Sequence, residues 1–239
     1  MKLIPDPTGR FAQRPFYEGN ELDIECERTM GGFLRSLYGK VSFPVSTDDL
    51  TKLIEQHVSD FDSYADLTAA YGDGVEGVTE FLPRQRPTVR IHQDLTNDAA
   101  RENRLRTTLT HELGHVLFHT WLFDQRAGGG LFPSAPRNDD KQVCKRENIL
   151  DAPQVDWMEW QAGHACGALL MPASHVRRLA KEVAIQTPPP SFGDLVVDST
   201  YGRALVQAMC ARFQVSSDAA QVRAHRLKLL ARIDFALRI

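Results

Sequence analysis

His111-Glu112-Leu113-Gly114-His115 is the stretch whose residue types and spacing could do chemistry. Two histidines four apart on a helix lie on one face, a turn above one another, so both imidazoles can close on one ion. The glutamate between them reaches toward the same cleft, which is the H-E-x-x-H arrangement of a zinc peptidase. Neutral imidazoles hold Zn²⁺, the metal lowers the pKa of a water toward about 7, and Glu112 is placed to take that water's proton.

A site of this kind needs a third ligand. His119 lies eight residues from His111, about 12 Å of helical rise, too far for one ion, so it is read as a packed, hydrogen-bonded histidine. The longer pattern ending in Gly and His is also absent, because Phe118 and Trp121 occupy those positions. The better candidate stands on the apolar stretch from Trp157 to Met171, which reads as a buried helix stopped by Pro172. There Glu159, Ala162, Gly163 and Cys166 share a face. Small side chains on that face allow close approach of another helix and carry Glu159 to the metal. His164, about 140° around the helix from Glu159, is not expected on the same ion and is assigned at most an oxyanion-donor role in the cleft.

The elements that must position these groups can be followed along the chain. Residues 1–18 read as an extended or loose arm. Leu22, Cys26, Met30, Phe33, Leu34 and Leu37 recur at helical spacing between Asn20 and Tyr38, with a kink expected at Gly31-Gly32. Ser46 to Asp49 starts a second helix. After the turn-rich Gly72 to Gly77, Val78 to Leu82 and Thr88 to His92 read as a hairpin, one strand of which would receive an extended substrate at the sheet edge. Asn97 or Asp98 caps the helix whose apolar stripe of Leu105, Leu109, Leu113, Val116 and Leu117 embeds the motif. The 36 residues from 120 to 155 read as a long loop, and its Cys144 is read as an inert thiol, the alternative being a ligand that occupies the open metal position.

Beyond Pro172 the pattern gives a helix over 174–184, a linker over 187–199 around Thr187-Pro188-Pro189-Pro190, and a helix-turn-helix-like pair over 200–239. This last segment carries Arg203, Arg212, Arg223, Arg226, Lys228, Arg232 and Arg238 against Asp218 and Asp234, a net +5 in a chain of net −3. Two uses are open: a basic helix for a major groove, or a helical hairpin packed through Leu205, Met209, Phe213, Val222, Leu227 and Leu230. Four widely spaced cysteines without a C-x-x-C pair indicate free thiols, and no signal-peptide or membrane-span pattern occurs, so a cytoplasmic protein is expected. The fold class expected is α+β: an active-site helix with a small sheet over 19–186, and the helical hairpin behind it.

Arg106-Thr107-Thr108-Leu109-Thr110 leading into the histidine motif, then Glu159-Trp160-Gln161-Ala162 and Leu169-Leu170-Met171-Pro172, resembles the ImmA/IrrE metallopeptidase family. The likeness runs from about Gly77 to Pro172 and recurs at Phe213-Gln214-Val215-Ser216. It implies a compact zincin with His111, His115 and Glu159 as zinc ligands and Glu112 as catalytic base. It also implies a bacterial, intracellular endopeptidase that cleaves a helix-turn-helix repressor and relieves transcription of mobile-element or stress genes. Thr107, where an aromatic is common, Gly163, where Asn or Asp is usual, and the long 120–155 insertion depart from the pattern. Two other readings are a DNA-binding regulator with a structural or sensing zinc, and a toxin-like peptidase paired with an antitoxin.

Overall fold

A computed structural model of the chain describes residues 1–82, 84–127, 141–145, 156–191 and 195–231, and these build an α+β fold. Of the extended or loose arm expected over 1–18, the extended alternative holds, as a two-stranded ribbon. Strands β1 (Lys2–Pro5) and β2 (Gln13–Phe16) pair antiparallel, with Lys2 opposite Phe16. Asp6 closes the connection by accepting from Phe11 N at 3.0 Å and from Trp157 Nε1 at 3.1 Å.

Helix α1 (Gly19–Tyr38) opens on a capping box of Glu18 and Glu21 and ends at Gly39, whose φ of 70° favours glycine. The kink expected at Gly31-Gly32 is absent, and α1 runs unbroken. A helical glycine costs about 1 kcal/mol. Burying Met30, Phe33 and Leu34 beside the pair outweighs that, at roughly 1.5–3 kcal/mol for each large apolar side chain. Ser46 caps α2 (Thr47–Glu55) by accepting from Asp49 N at 3.0 Å.

Strands β3 (Asp60–Ala65), β4 (Val75–Glu80), β5 (Thr88–His92) and β6 (Lys141–Lys145) form one sheet in the order β3-β5-β4-β6. The one-turn helix α3 (Thr68–Tyr71) joins β3 to β4, and another, α4 (Gln93–Thr96), follows β5. Strand β3 runs parallel to β5, while β4 is antiparallel to both β5 and β6. The expected hairpin exists, but neither of its strands is an edge. The stretch read as a loop over 120–155 supplies part of the reason, since it contains the end of α5 and the whole of β6. The remainder of that stretch lies outside the described residues.

Helix α5 (Glu102–Ala127) crosses the sheet and packs along α6 (Trp157–Leu170), the most extensive helix pairing in the fold. A Cβ added at Gly114 would stand 3.1 Å from Ala162 Cα and from its carbonyl oxygen, so glycine is what lets the two helices approach. Helices α7 (Ala173–Gln186), α8 (Thr200–Phe213) and α9 (Ser217–Arg226) follow among the described residues. Leu205, Met209 and Phe213 of α8, Ala219, Ala220 and Ala224 of α9, and Leu227 and Leu230 just beyond it belong to the same buried cluster as Leu109 and Leu113, so this pair shares the main core with the motif helix. Among the described residues no helix is long and apolar enough to cross a membrane.

Two buried arginines fasten this carboxy-terminal pair. Arg106 of α5 donates to Phe213 O at 3.0 Å and Gln214 Oε1 at 3.2 Å. Arg223 of α9, 1% exposed, donates to Met171 O at 2.9 Å and to Asp23 Oδ1 at 2.7 Å. Burial pushes the Asp23 carboxyl up, but the hydrogen bond from His164 and the Arg223 charge outweigh it and hold the group below its usual range. A carboxyl lowered in the folded state stabilises above its unfolded pKa of about 3.9 and loses that contribution as acid protonates it. Arg223→Leu is therefore expected to destabilise the fold by about 3 kcal/mol near neutral pH, because the half-buried Asp23 is left without its buried cation. Urea denaturation at stepped pH checks this: the gap between wild type and variant narrows below about pH 4, and a gap independent of pH contradicts the pairing.

Candidate metal centre

His111 and His115 face α6 from successive turns of α5, and Glu159 meets them from the first turn of α6, where the Asp156 side chain accepts from its backbone N–H at 3.3 Å. The histidines are 0% exposed and Glu159 is 2% exposed. The two Nε2 atoms lie 3.2 Å apart; Glu159 Oε2 is 3.1 Å from His111 Nε2, and Oε1 is 3.2 Å from His115 Nε2.

These distances fit a metal. Ligands at 2.0–2.1 Å from a tetrahedral Zn²⁺ stand about 3.3 Å from one another, which is the spacing found here before any ion is placed. Two imidazole nitrogens and a carboxylate aimed at one point inside an apolar core are also a donor set suited to zinc. The buried His111, His115 and Glu159 group could hold a metal ion, its ligand atoms all lying within 4.8 Å of one another. Burial alone would raise the Glu159 carboxyl; His115 and His111 overturn that and keep it ionised, the form a metal requires.

Glu112 projects from α5 toward the sheet. Its Oε2 accepts from Thr79 Oγ1 of β4 at 2.6 Å, and its buried Oε1 has no hydrogen-bond partner among the described residues. Burial raises the Glu112 carboxyl above the ordinary range, against the pull of His115 and His111. Beneath it lies Gly77, where an added Cβ would stand 2.3 Å from Glu112 Oε1. Gly77→Ala must displace the carboxylate, because β4 is held between β5 and β6. The expected result is a fold destabilised by about 1–3 kcal/mol, the usual cost of an extra group in a packed site. Urea denaturation of wild type and variant checks it, and unaltered stability would count against the placement.

The structure thus brings together all four residues selected from the sequence. His119 is packed as expected, with Nδ1 3.0 Å from His115 Nδ1 and Nε2 3.1 Å from Gln161 Oε1, and burial holds its protonation well below the ordinary histidine range. His164 is not a cleft residue: its Nε2 is 2.9 Å from Asp23 Oδ1, so the oxyanion-donor role is withdrawn. The Cys144 backbone stands opposite Gly77 in the β4–β6 register; its side chain lies outside the described residues. Of the other cysteines, Cys26 and Cys166 are buried, and desolvation pushes the Cys166 thiol up to about 11. Both are packed, unreactive thiols.

Sequence reasoning missed Gly77, Thr79 and Gln161. A glycine inside an otherwise strand-like run marks a place where something approaches the backbone closely, and that signal was available at Gly77. The basic helix is mostly occupied internally, since Arg223 is buried and Arg226 Nη1 donates to Gly163 O at 2.7 Å. No protein-family model matches this chain, and a search of curated proteins finds no relative of it.

Proposed function

We propose that the chain is a zinc-dependent endopeptidase of the ImmA/IrrE kind, with a zincin-like fold, acting in the cytoplasm on a regulatory protein such as a helix-turn-helix repressor. The observation that carries this reading is the pairing of a three-ligand group with a separate, non-ligating carboxylate. Glu112 Oε1 is buried with no hydrogen-bond partner among the described residues, which leaves it open to accept a proton as a general base does. A zinc ion held by His111, His115 and Glu159 would supply Lewis-acid activation of water and of a peptide carbonyl. Glu112 takes at Oε1 the proton that the attacking water loses and gives it to the amine that leaves as the peptide C–N bond breaks. Thr79 fixes the other oxygen, so the carboxylate keeps one orientation through both transfers.

A catalytic role carries a structural requirement. The triad and Glu112 are 0–2% exposed, and β4, the strand touching Glu112, is paired on both sides. A peptide adding to β4 as a strand must take the place of Lys141–Lys145. The direct test is incubation of the zinc-loaded chain with candidate repressors, followed by mass spectrometry. One defined cut that disappears on chelation and returns with zinc supports the proposal; intact repressors across the panel oppose it. The alternative of a major-groove helix is disfavoured by the internal engagement of Arg223 and Arg226.

A further inference from the structure

We infer that Pro15, Gln161 and His119 form a hydrogen-bonded relay that fixes the tautomer of His115 and so sets how tightly the metal centre binds zinc; this rests on the metal-centre reading above. The inference follows from counting protons along a buried chain. The Pro15 carbonyl can only accept, so the Gln161 Nε2 amide, 2.9 Å away, must donate to it. The opposite amide orientation would set two carbonyl oxygens against each other. Gln161 Oε1 is thereby turned toward His119 Nε2 at 3.1 Å, and since Oε1 also only accepts, His119 carries its proton on Nε2.

His119 is 0% exposed, with no carboxylate hydrogen-bonded to it among the described residues, and burying a charged imidazolium there is too costly. It is therefore neutral, with a bare Nδ1. His115 Nδ1, 3.0 Å from that atom, must be the donor. With Nδ1 committed to His119, Nε2, the atom facing Glu159 and His111, is the His115 nitrogen left for a metal once it gives up any proton it shares with Glu159.

The relay begins outside the motif helix, in the amino-terminal ribbon. Phe11 clamps that ribbon edge-on against Phe123 at 5.1 Å and Trp157 at 6.3 Å, and Trp157 in turn packs on His119 at 5.5 Å. Residues 13–16 are thus part of the metal centre's support, although they lie almost a hundred positions before it. Partners of this kind orient a ligating imidazole and raise its basicity, and their loss typically weakens metal binding 10–100-fold.

Two readouts on the full chain test the relay. In the metal-free wild type, long-range ¹H–¹⁵N correlation of the imidazoles should show a proton on His115 Nδ1, and His119→Leu should shift the ring toward a bare Nδ1 with the proton on Nε2. Zinc affinity by chelator competition should fall about 10–100-fold in His119→Leu and recover largely in His119→Asn, whose side-chain oxygen can accept from His115 Nδ1. A bare His115 Nδ1 in the wild type, or unchanged zinc affinity in a folded His119→Leu chain, overturns the relay. Absence of zinc binding in a wild type that shows the Nδ1 proton overturns the metal-centre reading instead, and with it the affinity consequence.

Discussion

Glu112→Gln is expected to lower the rate of substrate cleavage by about 10²–10⁴-fold, the usual contribution of a positioned general base, while leaving bound zinc unchanged. The substitution keeps the shape of the side chain, and the amide oxygen can still accept from Thr79 Oγ1. It removes only the capacity to accept a proton at the oxygen that has no hydrogen-bond partner among the described residues. Glu112 takes no part in the three-ligand group, so metal content by elemental analysis should match the wild type. A variant that cleaves at the wild-type rate would remove Glu112 from the chemistry. A variant that loses its zinc would show that Glu112 is a ligand or holds one.

The contrast between retained metal and lost turnover separates catalysis from structure. A zinc that only braced the fold would give the same stability and the same function in Glu112→Gln. The same comparison separates the enzyme from a DNA-binding regulator, whose salt-dependent operator affinity would not respond to this change.

The centre was largely legible in the sequence because its determinants are short in range. His111 and His115 are related by one helical turn, and Glu159 stands on a helix whose small residues announce a close neighbour. Gly114 and Ala162 supply that closeness in the structure. The sheet was less legible, because strand order is set by pairing between distant segments. Neither β4 nor β5 carries a mark that makes it interior, and β6 comes from a stretch with little periodicity.

Local rules failed where tertiary burial prevailed. Gly31-Gly32 would weaken an isolated helix, yet α1 is continuous because its apolar face is buried on both sides of the pair. Residues 1–18 lack periodicity, but Asp6 and Phe11 tie them to Trp157, a contact invisible at that separation. His164 was assigned to the cleft from its helix alone, and its partner, Asp23, lies on α1. Arg223 likewise looked like a surface charge until the structure placed Asp23 against it.

Glu159→Ala carries the other large expected effect. With the carboxylate gone, two imidazole nitrogens 3.2 Å apart remain, and an ion between them would lack both a third protein ligand and the negative charge that offsets its own in a buried site. Loss of a supporting partner weakens metal binding 10–100-fold; loss of a direct ligand should exceed that, giving more than about 100-fold weaker zinc binding. The fold should largely survive, since Glu159 stands at the start of α6 and the rest of that helix is buried in the core. Zinc titration against a competing chelator, run on the wild type and on Glu159→Ala with circular dichroism to verify folding, tests the account most directly. The account predicts one tightly bound zinc per wild-type chain and at least about a 100-fold loss in the variant; equal, stoichiometric binding in both would contradict it.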